Sequence, residues 1–355
     1  MTDAVATGLT VAVVGAAGYV GAAVIARLDA DRAVERIVGL DLEEPQMPVA
    51  KLDFRPADVR DPVLAVALEG VDVVVHAGIT PSPIPAEDTM FAINVHGTRN
   101  LLDAAAKAGV RRLVHLSSAA VYGAHPGNRV PLTEDTPLRA NPDFSWAYQH
   151  QLAEELVHAW AADHPEIAVT VLRPVTTLGP GADTFVSRHF EQPVLPVVRD
   201  NEPPVQFLHV DDLATAVGLA VLGDLPGTFN VAPEGWLSAR ELAHVLGKHP
   251  VTVPEAIAFS AARTLWSHRV LGAPAGALHY LMYPWVVDCE RLHAQGWTAT
   301  RSNREVVREF ATEHRPYLCF GRLRVRRAGL QRAATVAAAA GAFALVSRAR
   351  RRRRR

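Results

Sequence analysis

Gly15, Gly18 and Gly21 recur at three-residue steps directly after the apolar run Val11-Ala12-Val13-Val14, and Ala22 to Leu28 then continue with helical apolar spacing. A buried strand that turns sharply into a helix aims the helix's free N–H groups and the positive end of its dipole at one spot, and that spot suits phosphate. Gly15 permits the tight turn, Gly18 lets a pyrophosphate approach bare backbone, and Gly21 lets the helix pack close to the strand. The loop residues Ala17, Tyr19 and Val20 share that contact surface. A second strand, Arg36 to Asp41, ends in an acid about 20 residues past the last glycine. A carboxylate there takes both ribose hydroxyls of an adenosine and repels a 2′-phosphate, so the pattern points to NAD in preference to NADP. Ser118 follows the strand Arg112 to Ser117 and stands at its C-terminal end, where open α/β sheets bind ligands.

The elements that must position these residues alternate regularly. Further strands are predicted at Lys51 to Phe54, at Val71 to Gly78 and at Val169 to Pro174, and helices after Asp61-Pro62, over Asp88 to Ala108 and over Ser145 to Ala162. The strand around Val73-Val74-Val75 is apolar throughout, as a strand buried on both faces should be. Strand and helix in alternation with short links call for a Rossmann-type, doubly wound parallel α/β sheet. Beyond Pro174 proline and glycine become frequent, which marks a smaller, mixed lobe that binds substrate. Two stretches are expected to return to the main sheet, Phe207 to Val210, followed by a helix capped by Asp211, and Thr228 to Val231. Ser238-Ala239-Arg240-Glu241 is a capping box opening another helix. The domain reading is 9–175 for the dinucleotide-binding part with returning segments at about 205–232, 176–204 and 233–315 for the lobe, and 317–355 for a tail.

With 355 residues, 49% hydrophobic content and a net charge of −1, the chain reads as a soluble globular protein with a large core. Cys289 and Cys319 stand far apart, which argues for reduced thiols over a disulfide framework. The 15 histidines show no ligand spacing, so no metal is expected. The N-terminus carries no signal-peptide pattern, and the expected location is cytoplasmic.

These residues resemble the extended short-chain dehydrogenase/reductases, the NAD-dependent epimerase/dehydratase group. The resemblance covers about residues 9–315 and rests on the three glycines, Asp41, Asp58-Val59, His76-Ala77-Gly78, Asn94, Ser117 to Gly123, Tyr148, Leu172-Arg173-Pro174 and Phe207 to Leu213. It implies that Asp58 and the Val59 amide hold adenine and that Ala77 and Gly78 border the phosphates and ribose. It also places Asn94 and Pro174 at the cofactor site. Ser118 would then hydrogen-bond a substrate oxygen while Tyr148 passes it a proton. The family pairs its tyrosine with a lysine four residues on, and Leu152 holds that place here. Gln151, one turn from Tyr148 on the same face, is the residue left to bond the ribose. Sugar-nucleotide members carry an asparagine shortly after Arg-Pro, whereas this chain has Arg173-Pro174-Val175-Thr176. With the aromatic residues of 255–290, that favours a hydrophobic hydroxyl or keto substrate for an oxidoreductase or epimerase. A nucleotide-sugar enzyme and a catalytically weak NAD-binding sensor or assembly protein are the alternatives.

The last 35 residues hold 12 Arg and no acid, leaving −13 for the remainder. Ala333 to Val346 is too short and too alanine-rich to span a bilayer, and with its Arg flanks it reads as a helix lying on an anionic membrane surface. The partners expected are therefore a small-molecule substrate, such a membrane surface through the tail, and a second copy of the chain. No specific nucleic acid is expected, because no aromatic residues interleave with the arginines.

Overall fold

The computed structural model describes residues 8–199, 201–321 and 323–328. β1 (Leu9–Val14) turns at Gly15 into α1 (Tyr19–Asp29), followed by β2 (Val34–Asp41), β3 (Leu52–Pro56), α2 (Leu64–Ala67) and β4 (Val73–His76). α3 (Glu87–Phe91) passes through a π turn at Ala92–His96 into α4 (Gly97–Ala108). β5 (Arg112–Leu116), a 3-10 turn at Ala119–Tyr122, α5 (Ser145–Asp163) and β6 (Ala168–Pro174) complete the regular alternation. Then come β7 (Thr176–Leu178), α6 (Phe185–Phe190), β8 (Leu195–Val198), β9 (Phe207–His209), α7 (Val210–Leu222) and β10 (Gly227–Val231). The chain continues through α8 (Ala239–Leu246), β11 (Pro250–Val253), α9 (Glu255–Ser267), α10 (His279–Met282), α11 (Glu290–His293) and α12 (Asn303–His314), then β12 (Tyr317–Phe320) and β13 (Leu323–Arg326).

The main sheet has seven strands in the order β10-β6-β5-β4-β1-β2-β3, every pair parallel. Side chains alternate across a strand, so β1 sends Val11 and Val13 to one face and Ala12 and Val14 to the other. α1 and α7 cover the first face with Val24, Leu28, Leu213 and Val217, and α2, α4 and α5 cover the second with Leu64, Leu101, Leu102 and Val157. Both faces being buried explains why the central strands β1 and β4 read as nearly unbroken apolar runs. The chain order reverses between β1 and β4, which opens a crevice at the carboxyl ends of those two strands.

Of the two stretches expected to rejoin this sheet, only the second does so. β10 occupies the edge beside β6, whereas Phe207–His209 pairs with β7 in a separate two-stranded sheet. The reason is geometric: β6 ends at Pro174, and its continuation Thr176–Leu178 diverges and offers a new edge while β10 takes the old one. The cap of α7 is also corrected, from Asp211 to His209, whose Nδ1 accepts from the Asp211 amide at 3.1 Å. The Ser238–Glu241 capping box is present as read, with both reciprocal bonds.

The lobe is built on a smaller core of Leu178, Phe190, Phe207, Leu242, Val307 and Phe310. Cys289 and Cys319 are free and buried. Among the described residues no helix is long and apolar enough to cross a membrane. The surface helix expected at Ala333 to Val346 lies outside the described residues.

Candidate functional site

The glycine loop at the crevice is a bare backbone surface. Gly15 has φ +84°, a left-handed conformation, and a Cβ there would overlap the Ala77 carbonyl. A Cβ on Gly21 would run into the Gly15 carbonyl oxygen, which is why helix and loop pack so closely. Gly18 is the N-cap of α1, with no side chain to satisfy the first-turn N–H groups and no acid in that turn to neutralise the dipole. The Asp41 carboxylate is fixed beside the loop: Oδ2 accepts from the Ala17 amide at 2.9 Å and Oδ1 from the Leu42 amide at 2.7 Å. Each oxygen retains a lone pair for a ribose hydroxyl.

A cavity of about 960 Å³ begins at this loop. Gly15, Ala17, Gly18, Tyr19, Val20, Gly21 and Asp41 line one end, and Ala77, Gly78, Ser118 and Pro174 the middle. Phe144, Trp146, Phe185, Leu265, Tyr280 and Trp285 add an aromatic and aliphatic part to the wall, together with the polar Thr184, Arg188, Gln192 and Asn201. An uncapped helix end, bare glycine backbone and a tethered carboxylate in one continuous space fit a dinucleotide. Ser118 is in extended conformation and caps the 3-10 turn, its Oγ accepting from the Ala120 amide at 3.2 Å, which leaves its O–H free to donate.

The readings of Tyr148 and Gln151 are corrected by the phase of α5. Tyr148 is 37% exposed and does not line the cavity. Gln151 is turned to the Ala140 amide (2.8 Å) and to Glu155 (2.8 Å) instead, and Leu152 is likewise absent from the cavity wall. The residues that α5 presents to the cavity are Trp146 and His150, one turn apart. Sequence reading missed both. The signal was the periodicity itself: Ala147, His150, Ala153, Glu154 and Val157 form the inward stripe, and Tyr148 is out of phase with it. The family's tyrosine–lysine spacing of four is thus met on the cavity side by tryptophan and histidine.

Both rings are fixed. The Trp146 indole N–H donates to the Thr80 carbonyl at 2.7 Å. His150 Nδ1 lies 2.8 Å from the Trp146 carbonyl, so Nδ1 carries the hydrogen and Nε2 the lone pair. Burial lowers the His150 pKa to about 4, and the ring is neutral at neutral pH.

Three other implied contacts lie off the cavity. Asp58 is engaged by Arg60, whose Nη2 donates at 2.6 Å, and Val59 packs its methyl groups toward Gly97. Asn94 is fully buried in the π turn, where its side chain bonds the Thr80 amide (2.9 Å) and hydroxyl (3.1 Å) and Gln149 (3.0 Å). It therefore holds the loop that lines the cavity instead of lining it. A π turn at such a place often re-aims a side chain, and here it aims Asn94 at that loop.

Behind the wall, Arg173 and Glu154 form a buried ion pair that also takes the Ser117 hydroxyl at 2.5 Å. Burial opposes the Glu154 charge, but bonds from His158, Arg173 and Ser117 outweigh it and hold the pKa down to about 2. Tyr122 donates to Asn230 at 2.8 Å and accepts from Arg173 at 2.6 Å. This network ties the strand end that carries Ser118 to α5 and β6. Among the described residues no group of acids, histidines and cysteines could hold a metal ion.

Residues 11–232 match the model of the NAD dependent epimerase/dehydratase family. An uncharacterized protein of Mycobacterium tuberculosis is 32% identical over 254 residues, covering 69% of this chain and 67% of that protein. The structure of a short-chain dehydrogenase/reductase superfamily protein from Agrobacterium tumefaciens with bound NAD is 27% identical at a TM-score of 0.66, covering 86% of this chain and 97% of the other. The UDP-glucose 4-epimerase of Thermus thermophilus in complex with NAD has a TM-score of 0.68 at 23% identity, covering 86% and 99%.

Proposed function

The chain belongs to the NAD-dependent epimerase/dehydratase family, and from that premise we propose that it is an NAD-dependent oxidoreductase or epimerase acting on a hydroxyl or keto group of a small hydrophobic molecule. The observation that carries this reading is the single cavity in which the glycine loop and Asp41 continue, past Ser118, into an aromatic and aliphatic wall. NAD would lie along Gly15 to Gly21 with its adenosine ribose on Asp41, and when bound it supplies a hydride donor or acceptor. Ser118 directs its free O–H at the substrate oxygen and so orients it. His150 offers Nε2, which has no protein partner among the described residues, to a substrate or ribose hydroxyl, and it is the group on α5 that can accept a proton there. Trp146 and Phe144 close the site from water.

A second reading is favoured by one observation: neither a tyrosine nor a lysine stands on the cavity face of α5. On that reading the chain binds NAD with little turnover and serves sensing or assembly. A nucleotide-sugar substrate is the alternative raised by relatives such as the Thermus epimerase, and Thr176, Arg188, Gln192 and Asn201 are the polar side chains the cavity lining would offer it.

The test is a titration of NADH fluorescence together with a turnover screen over hydrophobic alcohols and ketones. His150→Gln should lower turnover by about tenfold or more with NADH affinity unchanged, and Tyr148→Phe should change neither. NADH binding without turnover of any alcohol or ketone would favour the second reading, and absence of NADH binding would refute both.

A further inference from the structure

The β12–β13 hairpin has its apolar side turned the wrong way for a free surface. Its register pairs Leu318 with Val325 and Phe320 with Leu323, so these four side chains share one face. The opposite face carries Cys319 and Arg324 and is clasped to the lobe by buried Glu191: Cys319 Sγ donates at 3.0 Å, Arg324 Nε at 2.8 Å, and His314 Nδ1 lies 2.5 Å away. The clasp fixes the hairpin so that its tip leaves Phe320 52% and Leu323 63% exposed. Between them Gly21-like bareness recurs at Gly321 (φ +61°), which is seated against Val270 and lines the cavity.

The neighbouring rim continues this apolar surface. Leu265 on α9 lines the cavity and is 38% exposed, Val270 is 40% exposed, and Ile257, two turns before Leu265 on the same stripe of α9, is 59% exposed. Arg326, which ends β13, and Arg327 after it are exposed, and from Gly321 onward the sequence holds 12 Arg and no acid. Exposed apolar side chains beside the cavity, with Arg263, Arg269, Arg326 and Arg327 exposed on the same segments and Glu255 the acid of α9, complement an interface that is apolar within and anionic at its surface.

We propose that the apolar face of β12–β13 and the adjoining rim of α9 seat on an anionic lipid bilayer, so that the cavity opens onto the membrane and takes a lipid-dissolved alcohol or ketone from it. The substrate part of this inference rests on the function proposed above; the docking part does not. The hairpin stands at the start of the segment read as the tail, 317–355, and it supplies apolar insertion beside the charge of the arginines.

The full chain with Leu323→Cys, labelled with an environment-sensitive fluorophore, reports directly, since both native cysteines are buried. Vesicles of phosphatidylcholine containing roughly a quarter phosphatidylglycerol should shift the label to the blue and carry the protein in flotation at low salt, and pure phosphatidylcholine should do so far less. Phe320→Ser with Leu323→Ser should cut the floated fraction by about fivefold or more while NADH affinity and melting temperature stay unchanged. An unshifted label, or a double variant that floats like the wild type, would overturn the docking. Equal binding to duplex DNA with no blue shift on vesicles would also overturn it, in favour of a general polyanion site. A blue shift in a protein that fails to bind NADH would support the docking and sink the proposed function alone.

Discussion

His115 gives the sharpest test of the physical account, because it is buried in the sheet with no partner. It lies on β5 between β4 and β6, fully inaccessible, and among the described residues neither ring nitrogen has a hydrogen-bond partner. His76 stands 5.1 Å away, ring to ring. Burial drives the His115 pKa down to about 4, against a weaker upward pull from Glu154. The unfolded chain titrates near 6.5. The folded pKa lies below the unfolded one, so between about pH 6.5 and 4 the unfolded chain binds a proton that the folded chain refuses, and stability falls as pH falls through that window. From about pH 7.5 to about pH 5.5 the loss from this one ring is about 1.4 kcal/mol. His115→Leu keeps an apolar group of similar bulk in the same place and removes both unsatisfied nitrogens. At neutral pH it should stabilise the protein by about 1 kcal/mol or more, the cost of an unpaired buried polar group. At about pH 5.5 the advantage should grow by the further ~1.4 kcal/mol. With an unfolding entropy of roughly 0.7 kcal/mol per kelvin for a chain of this size, the acid-induced drop in melting temperature should be about 2 °C smaller in the variant. Scanning calorimetry of both proteins at the two pH values measures this. A variant that is destabilised at neutral pH, or whose advantage does not grow on acidification, would refute the argument that His115 is held neutral and unpaired.

Three further predictions concern the site and its support. Asp41→Ala should narrow the preference for NADH over NADPH by about tenfold, chiefly by improving NADPH, as read by fluorescence titration; an unchanged ratio would remove the carboxylate's role. Gly21→Ala places a Cβ against the Gly15 carbonyl oxygen and should abolish cofactor binding or displace α1 enough to lower the melting temperature, and a variant that binds NADH normally would contradict the packing described. Glu154→Ala strands the Arg173 guanidinium in the interior and should cost about 3–5 kcal/mol in urea denaturation, far more than removal of an exposed partner such as Asp135 from Arg291.

The sequence by itself was enough for the seven strands of the main sheet, to which it wrongly added β9, and for the glycine loop and Asp41 at the crevice. The glycine loop, the strand-ending Asp41 and the apolar runs of β1 and β4 are local signals, because a tight turn, a bare backbone and a doubly covered strand each restrict residue type at the position itself. Ser118 follows from the same logic, since strand ends are legible and ligands gather at them, whereas Ala77, Gly78 and Pro174 were legible only through the family resemblance. The face of α5 was legible in principle, through the stripe that includes His150, Glu154 and Val157, but a motif anchored on the only tyrosine in that helix shifted the reading by two residues and turned it to solvent. Other features depended on tertiary structure. Asn94 and Asp58 have suitable chemistry at suitable places in the order, yet Asn94 is committed to Thr80 and Gln149 and Asp58 to Arg60. Which edge β9 would join depended on where β6 ended and what else could fill its flank. The apolar face of the last hairpin emerged only from its register against a clasp at Glu191, more than 120 residues earlier in the chain. Local sequence restricts the conformation of a residue, but the partner its side chain meets is chosen by contacts between distant segments, and those exist only once the chain has folded.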